Sequence, residues 1–172
     1  MKAFHVAVVA MGLALAACNQ DKTASLPQAL EPGPDAVGTI CRMALSEHGG
    51  PKGQVFVTKD GKPLWFSSIR DTFTWLLIEE GAAQGYAAIW VNDMGKSKQW
   101  ERPDAGAWVE ARQAVFVIGS AKGTQMGGSE LVPFSDRKAA QDFAGAHGGT
   151  VLAFSQITRE VLSGQAAGHG TH

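Results

Sequence analysis

The sequence predicts an α+β fold: two similar ββαβ units packed together, behind a disordered N-terminal tether. Three observations carry that prediction. Residues 54–93 run strand, hairpin turn, strand, helix, strand, and residues 112–157 repeat the order. A Phe-Ser pair marks the same place in each run, at 66–67 and 134–135. Ahead of both, residues 19–36 hold Pro27, Pro32 and Pro34 with few large apolar side chains. Either unit alone is too small to bury much of a core, so the two should pack together. The implied organisation is 1–17 signal peptide, 18–36 tether, 37–104 first unit, 105–160 second unit and 161–172 flexible tail.

Lys2 is followed by the apolar run "FHVAVVAMGLALAAC", ending at Cys18. The run has the length of a signal-peptide core and is too short to span a bilayer comfortably. Its last four residues, "LAAC", resemble a bacterial lipobox. That predicts cleavage before Cys18 and lipid attachment to its sulfur, an anchor strengthened by about 0.8 kcal/mol per buried CH₂. An ordinary signal peptide cut nearby is the alternative. Asn19, where an aspartate would argue for inner-membrane retention, favours the outer membrane, with the folded part facing the periplasm. A flexible tether over 19–36 would reach about 25 Å on average.

In the first unit, 54–58 is β-rich, and Asp60-Gly61 within "KDGK" signals a hairpin. Residues 62–67 supply the second strand. Ser68 can cap a helix, with Asp71 in its first turn. Ile69, Phe73, Leu76 and Leu77 then share one face. Gly81 and Gly85 end the helix, and "YAAIWV" is the third strand. The second unit reads "AVFVIGS" and "ELVPFSD" as strands and "RKAAQDFAGAH" as a helix. Ala140, Phe143, Ala144 and His147 line its inner face, Gly148-Gly149 stops it, and "VLAFSQI" is the last strand. Its hairpin is a long glycine-rich loop, "SAKGTQMGGS", with Met126 near the tip.

The chemistry sits in "TICRMALSEHGG", 39–50. If Cys18 becomes a thioether, Cys41 is the only thiol of the mature chain and no internal disulfide can form. In an extended segment, Cys41 and Met43 would point to the same side. A thiolate beside a thioether is a soft donor pair that selects Cu(I), whereas a structural zinc site wants four Cys or His ligands. The alternative is a buried cysteine packed beside a core methionine. Met126, flanked by Gly127 and Gly128, offers a further soft donor. His48 could add a nitrogen, or could simply close a helix end in "SEHGG"; His147 in "AHGG" has the same form. His169 and His172 lie in the tail, and Met94 in a turn. The formal net charge of −1 provides no basic field for nucleic acid.

Taken together, "CRM", "WVNDMGKSKQW", "AVFVIGS", "QMGGSELVPFSD", "AAQDFAGAHGG" and "VLAFSQI", behind a lipobox, resemble the NosL family, accessory lipoproteins of nitrous oxide reductase. The resemblance runs from Cys41 to about Ile157. It implies a two-unit ββαβ fold and binding of one Cu(I) by a carrier that is not an enzyme. It further implies copper delivery to nitrous oxide reductase as its copper-sulfide centre is assembled, alongside a membrane transporter assembly complex. Cys41 and Met43 match the family's Cys-x-Met, and Met126 matches the methionine of its Pro-Met-Gly loop, with Gln125 in the proline's place. Met94, after "WVND", stands where the family has a tyrosine. Two other classes remain open on the residues alone: an enzyme with Cys41 as nucleophile and His48 as base, and an interaction-only lipoprotein with a structural cysteine.

Overall fold

The computed structural model describes residues 26–78, 81–123 and 130–164; the leader, Cys18, Met126, His169 and His172 lie outside the described residues. The first unit runs β1 (Gly53–Phe56), β2 (Leu64–Phe66), α1 (Ile69–Leu77), a short α2 (Gly81–Gln84) and β3 (Ala88–Asn92). Next comes β4 (Trp108–Glu110). The second unit then runs β5 (Val115–Ile118), β6 (Leu131–Phe134), α3 (Arg137–His147) and β7 (Thr150–Ala153), followed by α4 (Arg159–Leu162). The strands form two antiparallel sheets, β2-β1-β3-β4 and β6-β5-β7. Both ββαβ units are therefore present, each helix following its Phe-Ser pair.

The helix starts form as their sequences dictate. Ser68 Oγ accepts the Asp71 N–H at 3.0 Å, and Asp136 Oδ1 accepts the Ala139 N–H at 2.7 Å. Gly148, with φ +74, ends α3 in a backbone region open to glycine. Pro133 lies on β6, an edge strand, where its missing N–H costs no ladder bond.

One core joins the two units. Phe73 of α1 packs edge-on against Phe116 of β5 with ring centroids 5.2 Å apart, and also meets Phe154 at 5.3 Å. Ile69, Leu131, Ile157 and Leu162 belong to the same buried cluster. Asp93 ties the units by polar bonds. Its Oδ1 accepts the Ser135 N–H at 3.2 Å and the Gly95 N–H at 3.0 Å, while the Met94 N–H donates to Pro133 O at 2.9 Å. Burial works against the Asp93 carboxylate, but hydrogen bonds from Ser135 and Gly95 and the nearby Lys96 ammonium outweigh it and hold its pKa below the ordinary value.

Three sequence expectations change. Residues 27–31 do not form a free tether: they cross the outer face of the first sheet as a strap. Gln54, fully buried on β1, accepts the Leu30 N–H at 2.9 Å and donates to Leu30 O at 3.0 Å. The Trp90 and Trp108 indole N–H groups donate to Pro27 O and Glu31 Oε1, both at 2.9 Å. Polar indole and amide groups on that face need partners, and the strap backbone and the Glu31 carboxylate supply them. Next, β4 falls within 105–160 but pairs with β3, extending the first sheet to four strands. Finally, Val161 and Leu162 are not flexible tail: Thr158 caps α4, and Leu162 is buried in the shared core.

Candidate metal centre

Cys41 sits in a turn and not in an extended segment. Gly38 O accepts the Arg42 N–H at 3.0 Å, and the Gly38 N–H donates to Met43 O at 2.9 Å. Arg42 adopts φ +59, the left-handed region. The same-side rule for alternating strand residues therefore does not apply to Cys41 and Met43. The turn is pinned to the edge strand β2, because the Thr39 N–H donates to Trp65 O at 2.7 Å. That brings Cys41 to the junction of β2 and α1, where its Sγ lies 3.3 Å from Ser67 Oγ. Ser67 in turn donates to Asp71 Oδ2 at 3.2 Å.

Cys41, half-buried, opens onto a cavity of about 300 Å³. His48, Gly50, Ser67, Arg70, Asp71 and Trp100 are among its lining residues. Gly123 and Glu130 line it too. These two are the described residues on either side of 124–129, the segment that contains Met126. Trp100 is the base for one arm: a Cβ on Gly123 would come within 2.7 Å of its ring, and the Lys122 ammonium lies 5.0 Å from the ring centroid.

His48 follows a 3₁₀ turn, Leu45–Glu47, and its backbone N–H closes that turn on Leu45 O at 3.3 Å. The helix-end expectation thus holds for its backbone. Its side chain does something else: Nε2 is buried and has no hydrogen-bond partner among the described residues. Lys52, itself buried, fixes the backbone next to it by donating to Gly49 O at 3.1 Å and Gly50 O at 2.7 Å. Burial pushes the Lys52 pKa down to about 8, opposed by the Glu130 and Glu101 charges.

Met43 is exposed at 42% and is not among the side chains lining the cavity. Met94 and His147 lie apart from Cys41, in a separate hollow of about 160 Å³ on the Lys122 side of Trp100. His147 ends α3 and packs on Phe143 at 4.6 Å.

The oxygen donors at the cavity are already engaged. Glu130 Oε1 accepts the Ile69, Arg70 and Leu131 N–H groups at 3.0, 3.1 and 2.9 Å, so a side chain of the second unit caps α1. Desolvation outweighs those bonds and pushes the Glu130 pKa up to about 7. Among the described residues no three His, Cys, Asp or Glu side chains cluster as a metal site. The soft and borderline donors among the cavity's lining residues are the Cys41 thiol and the His48 imidazole, whose Nε2 is itself buried. Sequence reasoning missed Gly38, Ser67, Lys52, Trp100 and Glu130 here. Asp71 was legible only as a helix-start acid. The repeated Phe-Ser pair at 66–67 was the one available signal for Ser67.

The NosL family profile matches residues 29–162. A protein of Achromobacter cycloclastes called copper-binding lipoprotein NosL is 42% identical over 154 residues, which span 88% of this chain and 78% of that one. Its namesake in Stutzerimonas stutzeri is 35% identical over 128 residues, covering 74% and 65%. The crystal structure of the copper chaperone NosL from Shewanella denitrificans superposes with a TM-score of 0.71 at 32% identity, covering 78% of this chain and 98% of that one. By profile, sequence and fold, this chain belongs to the NosL family.

Proposed function

We propose that this chain is a Cu(I) carrier that delivers copper to nitrous oxide reductase while its copper-sulfide centre is assembled. The observation that carries the reading is the convergence on one cavity of Cys41, His48 and the two residues flanking the Met126 segment. The names of the relatives, a copper chaperone and copper-binding lipoproteins, supply the metal and speak for a carrier instead of an enzyme. Cys41 as thiolate offsets the Cu(I) charge and makes the strongest bond. Met126 and Met43 add thioether donors, with His48 completing the set. Met43 reaches the metal only by turning in from its exposed position. In this reading Cys18 carries the lipid, holding the folded part on the periplasmic side of the outer membrane. The recipients are apo-nitrous oxide reductase and its membrane transporter assembly complex.

Cys41→Ser should abolish stoichiometric Cu(I) binding, measured by titration against a chromophoric Cu(I) chelator. One equivalent of Cu(I) bound by Cys41→Ser would overturn the reading. X-ray absorption of the loaded chain should show sulfur-dominated ligation of copper. In a bacterium lacking the chain, nitrous oxide reductase should lack its copper-sulfide centre, restored by the wild type and not by Cys41→Ser.

A further inference from the structure

We infer that Gly38 and Ser67 form a notch that positions the Cys41 sulfur for metal exchange, with the Ser67 hydroxyl as hydrogen-bond donor to that sulfur once its proton has gone. The inference rests on the carrier reading and names residues that serve it. Two independent observations meet at one atom. Ser67 Oγ lies 3.3 Å from Cys41 Sγ. From the other side, a Cβ placed on Gly38 would come within 2.5 Å of the same Sγ. Gly38 is not in the left-handed backbone region, so its turn does not require glycine for conformation. What the missing side chain provides there is room for the sulfur.

The hydroxyl has two alternative acceptors and one proton to give. With Cys41 as a thiol, the S–H donates to Ser67 Oγ and the hydroxyl donates to Asp71 Oδ2, 3.2 Å away. When Cu(I) is handed in by a donor ligand, the S–H bond breaks and a sulfur–copper bond forms. The proton leaves to solvent, and no electrons are exchanged. The sulfur then has nothing to donate, and the hydroxyl turns from Asp71 toward it. Ser67 thus stabilises the anionic sulfur as copper arrives and as it departs, while Asp71 holds the hydroxyl in place between those events. Ser67 and Gly38 are positioning residues, acting through Cys41.

The test uses the full chain without metal and follows alkylation of Cys41 by iodoacetamide at fixed neutral pH, quantified on the Cys41 peptide so that Cys18 does not contribute. The hydroxyl holds the attacking sulfur in one orientation, so Ser67→Ala should react roughly threefold more slowly, the effect of part of one hydrogen bond. Ser67→Thr, which keeps the hydroxyl, should restore the rate. Gly38→Ala, which expels the sulfur from the notch without touching residue 67, should slow it as well. The double variant should be no slower than either single one. With the chain loaded, Ser67→Ala should also slow Cu(I) transfer to a chelator, and Ser67→Thr should restore it. Wild-type alkylation in Ser67→Ala, or no rescue by a folded Ser67→Thr, would overturn the notch. If Cys41→Ser still bound one Cu(I), the carrier reading would fall, while the metal-free alkylation would still decide the notch.

Discussion

Glu130 shows how one side chain can serve two neighbours at a cost. Its carboxylate satisfies N–H groups at the start of α1 that have no partner within the helix, yet desolvation pushes its pKa up to about 7 from an ordinary 4.5. Between those values the folded chain holds a proton that the unfolded chain has released. Stability must therefore fall as pH rises through that window, by on the order of 3–4 kcal/mol at most. Glu130→Gln keeps an oxygen to accept the N–H groups and removes the titration. Urea unfolding at pH 5 and pH 8 should show the wild type losing stability and Glu130→Gln holding level; parallel losses in both proteins would disprove the assignment. Asp93 acts with the opposite sign. Its depressed pKa gives stability that is present above the ordinary value of 3.8 and is lost as pH falls below it.

Two elements invite their own tests. The cap of α1 depends on Ser68 as well as Glu130, and Ser68→Ala should cost about 1 kcal/mol in urea unfolding. The strap over 27–31 depends on Gln54, whose amide makes both hydrogen bonds to Leu30. Gln54→Ala leaves the Leu30 N–H and C=O without those bonds, with a cost of about 1–3 kcal/mol for each group that stays buried. Hydrogen exchange at Leu30 should accelerate well beyond that in β3. If Leu30 exchange stayed at the wild-type rate, the strap would be held by something other than this pair of bonds.

For the whole molecule, the joint between units matters most, because the cavity draws its walls from both. Asp93→Ala removes the acceptor of the Ser135 and Gly95 N–H groups and should cost about 2–4 kcal/mol. Its unfolding should also become less sensitive to acid than that of the wild type, as followed by circular dichroism between pH 5 and pH 3. The docked strap changes the proposed membrane geometry too. From a lipid on Cys18 to Pro27, where the indole of Trp90 holds the chain, there are nine residues, which span at most about 30 Å. The tether expected over 18–36 would have allowed twice that. With the proposed lipid on Cys18 the site would lie closer to the bilayer, and extending 19–26 with glycine and serine should then raise the folded body in neutron reflectometry.

Local sequence determined the repeated unit and both helix starts. Strand alternation, Ser68, Asp136 and the glycines after α3 act over a few residues, so their physics is written in neighbouring letters. The α3 bounds were legible to the residue, Arg137–His147. Other features were settled only by contacts between residues far apart in the chain. Leu30 meets Gln54 and Trp90 meets Pro27 because a sheet face with buried polar groups needs acceptors and donors, which composition reads only as a proline-rich tether. Glu130 caps a helix 60 residues earlier. The Cys-x-Met pair was legible as chemistry but not as geometry, since a turn closed by Gly38 replaces the extended segment that its spacing suggested. Sequence named the sulfur; only the packing of a turn against β2 and α1 placed Ser67 beside it.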